Sequence, residues 1–405
     1  MYQKIKLISL AVLASCMSWC AFAQSSAQDF VIKGNIKGIK NGTKVALRSK
    51  ESGKYIEAEC LSQGNSFVLK GKVEGTMLVQ LCIDNKPKAE YKEQEYAEVH
   101  GGNFMLEPGN YQVSAACFDS IARNYFMYSV PMDYEKNLKI VGGKVQQQYQ
   151  EWADATYDAR LNAALIDMQL GNARYGGRRN EVDSVAVNRL KPLVEKASEY
   201  RDKVNDQFIA AHPDYAISLL LKSKELANPF AMTNAEYDEM LVTFANNYDK
   251  SRYEDFVKLV NEMKKYIKGS HFKDLAVETV EGKPANLKDI VMPGKYNFLD
   301  FWASWCGPCR AAIPSVKKLH EKLGDTLNIV SISVDKKRAD WEKAMAEEKM
   351  PWQQYLVPQS SMKALKDAYF LQFVPSLVVI DPSGHIVLFT SDPDEAHRYL
   401  EQKQN

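Results

Sequence analysis

The rhythm of apolar and polar positions changes twice along the chain. Between residues 28 and 141, short runs alternate the two: Phe30-Val31-Ile32, Val45-Ala46-Leu47, Phe67-Val68-Leu69, Met77 to Leu81, Phe104-Met105-Leu106, Tyr111-Gln112-Val113 and Leu138-Lys139-Ile140. Turn signals separate them, at Lys40-Asn41-Gly42, Ser52-Gly53, Gln63-Gly64-Asn65 and Pro108-Gly109-Asn110. Short strands at this spacing predict an N-terminal all-β domain, an antiparallel sandwich or small barrel, with the charged stretch Lys86 to Glu98 as a surface loop.

From 143 to 267 the period lengthens. Tyr149, Ala153, Tyr157, Leu161, Leu165 and Met168 recur every three or four residues, an amphipathic helical stripe. Thr233-x-x-Glu236 and Ser251-x-x-Glu254 are capping-box patterns, and Pro213 suits the first turn of a helix through Leu219-Leu220-Leu221. Gly171 to Arg179, with Arg174, Arg178 and Arg179, reads as a solvated basic loop. From 268 to 405 strands and helices alternate: strands at Tyr296–Trp302, Leu327–Val334, Leu377–Ile380 and Ile386–Phe389, and helices at Cys309–Leu323, Ala339–Glu348 and Met362–Tyr369. A turn at Asp381-Pro382-Ser383-Gly384 and a last helix capped by Asp392-Pro393-x-Glu395 complete an α/β domain.

The N-terminus reads differently again. Lys4 and Lys6 precede an apolar run from Leu7 through Cys20, and Ala21-Phe22-Ala23 offers a small-x-small cleavage site. Residues 1–23 are therefore expected to be an export signal, leaving a soluble periplasmic protein. Leu13-Ala14-Ser15-Cys16 also resembles a lipobox, so a lipid anchor through Cys16 is the alternative. Elsewhere no stretch approaches the ~18 apolar residues of a membrane span.

Composition narrows the function classes. Of 405 residues, 45% are hydrophobic and 25% charged, which excludes wholesale disorder. Lys+Arg 52 against Asp+Glu 51 leaves +1, so nucleic acid is not an expected partner. Seven cysteines are too few for a disulfide scaffold but enough for a redox pair. Cys60, Cys82 and Cys117 fall on or beside strands and read as structural thiols, with a Cys60–Cys82 disulfide left open.

The chemistry concentrates at Trp305-Cys306-Gly307-Pro308-Cys309. A CxxC pair that follows an apolar strand and opens a helix puts its first thiol where unpaired N–H groups and the dipole favour thiolate. Cys306 is the expected exposed nucleophile and Cys309 the buried resolving thiol. There is no second CxxC, and His271 and His320 are not at metal spacing, so no metal site is expected. Asp300 sits among Phe298, Leu299, Phe301 and Trp302. Burial there would raise its pKa and fit it for general-base work near neutral pH.

The segment Leu299-Asp300-Phe301-Trp302-Ala303-Ser304-Trp305-Cys306-Gly307-Pro308-Cys309-Arg310 resembles the active-site segment of thioredoxin almost residue for residue. The resemblance implies a thioredoxin-like fold, Asp300 as an aid to the buried cysteine, and a cis-proline loop at Val374-Pro375-Ser376 facing the dithiol. It implies a substrate-binding role for Trp305, Val374 and Pro375. The gap from Cys309 to Pro375 exceeds that of plain thioredoxins. An insertion over Asp335–Pro358, with Phe272-Lys273-Asp274-Leu275 and Asp381-x-x-Gly384, is similar to exported TlpA-like thiol–disulfide oxidoreductases. Phe30-x-Ile32-x-Gly34 and Leu106-Glu107-Pro108-Gly109 resemble an N-terminal domain of unknown function often joined to such modules.

The implied activity is exchange with protein disulfides in the reductase or isomerase direction. It needs no cofactor beyond the dithiol but requires an electron-donor protein, for which a membrane-bound partner is the expectation. The competing readings are a binding or adhesion protein working through the β domain, and a thiol peroxidase. Residues 28–267 are expected to be dispensable for the dithiol chemistry.

Overall fold

In the computed structural model, which describes residues 27–51, 53–56, 58–84, 99–121, 137–175, 183–226, 230–324 and 326–404, the short alternating runs become eight strands. They are β1 (Gln28–Ile36), β2 (Lys44–Ser49), β3 (Ala58–Leu61), β4 (Ser66–Val73), β5 (Met77–Asp84), β6 (Val99–Leu106), β7 (Gly109–Ala115) and β8 (Lys139–Val141). Two four-stranded sheets result, ordered β4-β1-β7-β8 and β3-β2-β5-β6. Alternation sends Phe30, Ile32 and Leu69 from one sheet and Val45, Val79 and Leu81 from the other into a single core, a sandwich. The first sheet is mixed rather than antiparallel, because β1 and β7 pair in parallel. Strand β3 escapes the sequence pattern because Ala-Glu-Cys-Leu is too short to show alternation.

Two motif residues of this domain have local reasons. Gly34 pairs with Phe67 across β1 and β4, and a Cβ there would fall 2.0 Å from the Phe67 ring, so only glycine lets the ring lie over the strand. Glu107 Oε1 accepts the Val145 N–H, satisfying a donor in the first turn of α1 (Lys144–Tyr175).

Helix α1 carries the amphipathic stripe and packs along α2 (Ser184–Ala211), where the Trp152 indole donates to Asn205 at 3.0 Å. Gly171–Tyr175, expected in a basic loop, continue α1. Then come α3 (Ala216–Glu225), α4 (Asn234–Phe244) and α5 (Lys250–Met263). Thr233 and Glu236 form the expected capping box on α4. At α5 the cap is Asp249, whose carboxylate accepts the Arg252 N–H, and Ser251 lies inside the helix. Pro213 falls in the turn before α3 rather than in its first turn.

The alternating C-terminal pattern yields β9 (Ala276–Glu278), β10 (Pro284–Asn286), α6 (Leu287–Ile290), β11 (Tyr296–Trp302), α7 (Gly307–Leu323), β12 (Leu327–Ser333), α8 (Arg338–Glu348), β13 (Gln353–Leu356), α9 (Met362–Tyr369), β14 (Ser376–Ile380), β15 (Ile386–Thr390) and α10 (Pro393–Gln404). One seven-stranded sheet runs β10-β9-β13-β12-β11-β14-β15, with β11, β12 and β13 parallel and β14 antiparallel to β11. Both faces are covered, so β11, β12 and β14 are buried almost throughout, including the polar Asn328, Ser331 and Ser333 of β12. The chain packs as two units, up to Ile217 and from Ser218 onward. The second unit takes in more than the α/β segment. Phe230 and Tyr266 share the core of Leu299, Phe301, Val330 and Val378, and the Tyr266 hydroxyl donates to the Asp367 carbonyl at 3.0 Å.

Residues 1–23, the loop Lys86–Glu98, Ser52, and Arg178 and Arg179 lie outside the described residues. Among those described, no helix is long and apolar enough to cross a membrane. The Cys60–Cys82 disulfide is ruled out. Cys60 lies opposite Val45 and Cys82 opposite Ala46, on the two strands flanking β2. They are thus two strand spacings apart, about 9–10 Å, and point to opposite faces of the sheet. Burial raises the pKa of both thiols and keeps them protonated.

Candidate redox site

Strand β11 delivers the chain to the site. After Trp302 a short turn, in which the Cys306 N–H donates to the Ala303 carbonyl, leads into α7. Cys306 is the N-cap of that helix, and its sulfur accepts the Cys309 N–H at 3.1 Å. Pro308 occupies the first turn, where its missing N–H costs nothing. Cys306 and Cys309 form a disulfide with S–S 2.04 Å and Cα–Cα 5.3 Å. Both are buried, so the expected contrast between an exposed Cys306 and a buried Cys309 is absent in this oxidised state. The reason is the facing loop. The Val374–Pro375 peptide bond is cis, and the Val374 carbonyl oxygen lies 3.6 Å from the Cys306 sulfur. Beside this covered disulfide, Trp305 is 70% exposed and Phe373 53% exposed.

A second set of residues holds the turn before Cys306. Asp335, at the end of β12 and buried, accepts the Ser304 N–H at 2.8 Å and the Ser304 hydroxyl at 2.7 Å. The Ser333 hydroxyl donates to the same carboxylate at 2.7 Å. Asp335→Ala would strand these donors in the interior. It is expected to cost about 2 kcal/mol of stability, read by denaturant unfolding, with Ser304→Ala costing less because it removes only one donor.

The inserted segment closes over the dithiol. Trp341 and Ala344 of α8 and Leu356 of β13 share a cluster with Trp302, Cys306 and Cys309. Arg310, next to Cys309, clamps α8 through Glu347 at 2.8 Å and Glu348 at 2.6 Å, and Lys317 donates to the Glu348 carbonyl.

Asp300 is 6% exposed. Strand alternation puts it on one face with Phe298 and Trp302. Phe298 packs with Ile313 and Val316 of α7, and Trp302 packs with Cys309, so Asp300 lies under the first turns of that helix. Burial raises its pKa from 3.8 to about 6, partly offset by a hydrogen bond from Ser331, whose hydroxyl donates to Oδ2 at 2.8 Å. Ser331 and Trp352 escaped the sequence reading, and Ser304, Asp335 and Trp341 entered it only as parts of the active-site segment and the insertion, with no role at the site. Each looks ordinary until the sheet register and the inserted segment bring it to the site. The described residues hold no group of three or more His, Cys, Asp or Glu side chains placed to bind a metal.

Residues 294–386 match a thioredoxin-like family, and residues 30–149 match a family described as a domain of unknown function, DUF4369. Among curated proteins, the chain is 35% identical over 65 residues to the thioredoxin-like protein YneN of Bacillus subtilis, covering 16% of this chain and 37% of YneN. It is 29% identical over 110 residues to the thiol-disulfide oxidoreductase ResA of Oceanobacillus iheyensis, covering 27% and 55% respectively. The chain thus spans between about a third and a little over half of these relatives. Among solved structures, the thioredoxin domain of a thiol-disulfide oxidoreductase from Bacteroides vulgatus is 29% identical, with 34% of this chain and 97% of that one covered and a TM-score of 0.32. The protein therefore carries a C-terminal thioredoxin-like domain joined in one chain to a DUF4369 domain.

Proposed function

We propose that the protein is an exported thiol–disulfide oxidoreductase that exchanges disulfides with protein cysteines in the reductase or isomerase direction. The observation that carries this reading is the Cys306–Cys309 disulfide at the N-terminus of α7, with the Val374 carbonyl facing it. In the reduced protein, unpaired N–H groups at the helix start favour the Cys306 thiolate, which attacks a substrate disulfide. One substrate sulfur leaves as a thiolate and the other is held on Cys306. Cys309 then gives its proton to Asp300 and attacks Cys306 Sγ. The intramolecular disulfide re-forms and the second substrate thiolate departs, so the substrate gains two electrons and the protein loses two.

An extended substrate segment would pair with the backbone at Val374, beside the exposed rings of Trp305 and Phe373. A membrane-bound partner protein would supply two electrons and reduce the Cys306–Cys309 disulfide back to the dithiol. The apolar run and Ala21-x-Ala23 site support export.

Reduction of insulin by the full chain, with dithiothreitol as electron source, tests the activity. Rapid turnover is expected, and none above the dithiothreitol background would overturn it. A fragment should begin at Ser218 rather than Lys268, because the shorter piece lacks Phe230 and Tyr266 from the core under the site. Activity in the 218–405 fragment would show that the first unit is dispensable for the chemistry.

A further inference from the structure

The buried carboxyl beneath the dithiol is held by more than its own strand. Asp300 on β11 lies directly opposite Ser331 on β12. Ser331 and Ser333 are the two serines of β12 and both are fully buried; the Ser333 hydroxyl donates to Asp335, and Ser331 has its own partners. Its hydroxyl donates to Asp300 Oδ2 at 2.8 Å. The same oxygen accepts the Trp352 indole N–H, also at 2.8 Å. An indole N–H can only donate, so the Ser331 oxygen must act as acceptor on that side. The hydroxyl proton is thereby committed to Asp300. A free serine rotor could instead point its proton away and offer the carboxyl a lone pair.

We propose that Ser331, oriented by Trp352, is a positioning residue for Asp300, holding the buried carboxyl ready to accept the Cys309 proton at neutral pH. This rests on the exchange function proposed above. Trp352 reaches the serine from the segment after α8, so the inserted region would supply the outer end of a relay that ends beneath the disulfide.

The surroundings of Asp300 leave the relay as its main polar control. Ser331 faces it from β12 and Leu377 from β14, and the reduced Cys309 would be its titratable neighbour on α7. His320 of α7 packs on the far partner, Trp352, with ring centroids 5.7 Å apart. Burial raises the Asp300 pKa and the Ser331 hydrogen bond lowers it, the two causes of its shift among the described residues. A hydrogen bond to a buried carboxylate favours its ionised form, so removing the donor moves the titration upward by about one pH unit or more.

The test titrates Asp300 directly in the oxidised full-length protein. With aspartate carboxyl carbons labelled with carbon-13, the Asp300 resonance is assigned by its disappearance in Asp300→Asn. Ser331→Ala is expected to raise its midpoint by about one unit, Trp352→Phe to raise it less, and Ser331→Thr, which keeps the hydroxyl, to restore it. A one-unit rise would cut the ionised fraction at pH 6 from about half to about a tenth, so release of a mixed disulfide there should slow about fivefold. An unchanged midpoint in a folded Ser331→Ala protein overturns the relay. Should that variant fail to fold, equal midpoints for Trp352→Phe and wild type overturn it instead. Failure of the wild-type protein to exchange disulfides would reject the proposed function, while the carboxyl titration would still judge the relay.

Discussion

Cys309→Ser is expected to accumulate covalent adducts with other proteins, Cys306→Ser to accumulate none, and both to lose turnover to background. The asymmetry follows from the helix start. Only the sulfur at position 306 caps α7 and accepts the Cys309 N–H, so only that sulfur gains thiolate character when the pair is reduced. It also lies against the Val374 carbonyl, where an extended substrate backbone would pass. Once a mixed disulfide forms on Cys306, release needs a thiol one turn along the same helix. A serine hydroxyl stays protonated and cannot attack sulfur, so the adduct persists. Cys306→Ser removes the first attack, and Cys309, inside the helix rather than at its cap, lacks the position that favours a thiolate. Non-reducing electrophoresis followed by mass spectrometry of the adducts reads the result. Trapping by Cys306→Ser alone would reverse the two roles, and equal trapping would mean that either sulfur can attack first.

How much of this is legible in the sequence depends on whether the signal is local. The CxxC pair, the helix it opens, the acid in the preceding strand and the proline before β14 each lie within a few residues of chain, and the structure places them together. Strand β11, Tyr296–Trp302, has the bounds its apolar run suggested. What was hidden was tertiary. Ser331 acquires meaning only because β11 and β12 pair in the register that sets it opposite Asp300. Trp352 matters only because the inserted segment returns as β13 beside β12. The three-residue strands β9 and β10, and β13 with its Gln-Gln start, are too short or too polar to alternate. Phe230 and Tyr266 fall within 143–267, read as a separate helical segment; both lie in connections outside its helices, Phe230 between α3 and α4 and Tyr266 between α5 and the sheet domain, where no periodic pattern shows which core receives them. The covered state of Cys306 belongs to the facing Val374 loop, 68 residues away in sequence.

Asp300→Asn should make the protein more stable and a slower catalyst, with both effects depending on pH. A carboxyl that titrates near 3.8 in the unfolded chain and at about 6 in the fold binds its proton more tightly when folded. Its contribution to stability is therefore fully present below about pH 4 and is lost as pH rises through 6. Above that, the fold must hold a buried charge that the unfolded chain leaves in water. The difference between the two titrations corresponds to about 3 kcal/mol at pH 8. Asparagine is nearly isosteric, keeps an oxygen to accept the Ser331 hydroxyl, and never ionises. Unfolding curves of wild type and Asp300→Asn should therefore nearly coincide at pH 4 and separate by about 3 kcal/mol at pH 8, the variant being the more stable. For a unit of this size that is about 6–12 °C in the thermal midpoint. Over the same range the variant should release mixed disulfides more slowly, because Cys309 has lost its proton acceptor. The stability lost to a buried charge and the speed gained from a base of the right strength then reside in one side chain. Stability curves that run parallel from pH 4 to pH 8 would show that Asp300 titrates as an ordinary surface carboxylate, and the base role would fall with the buried charge.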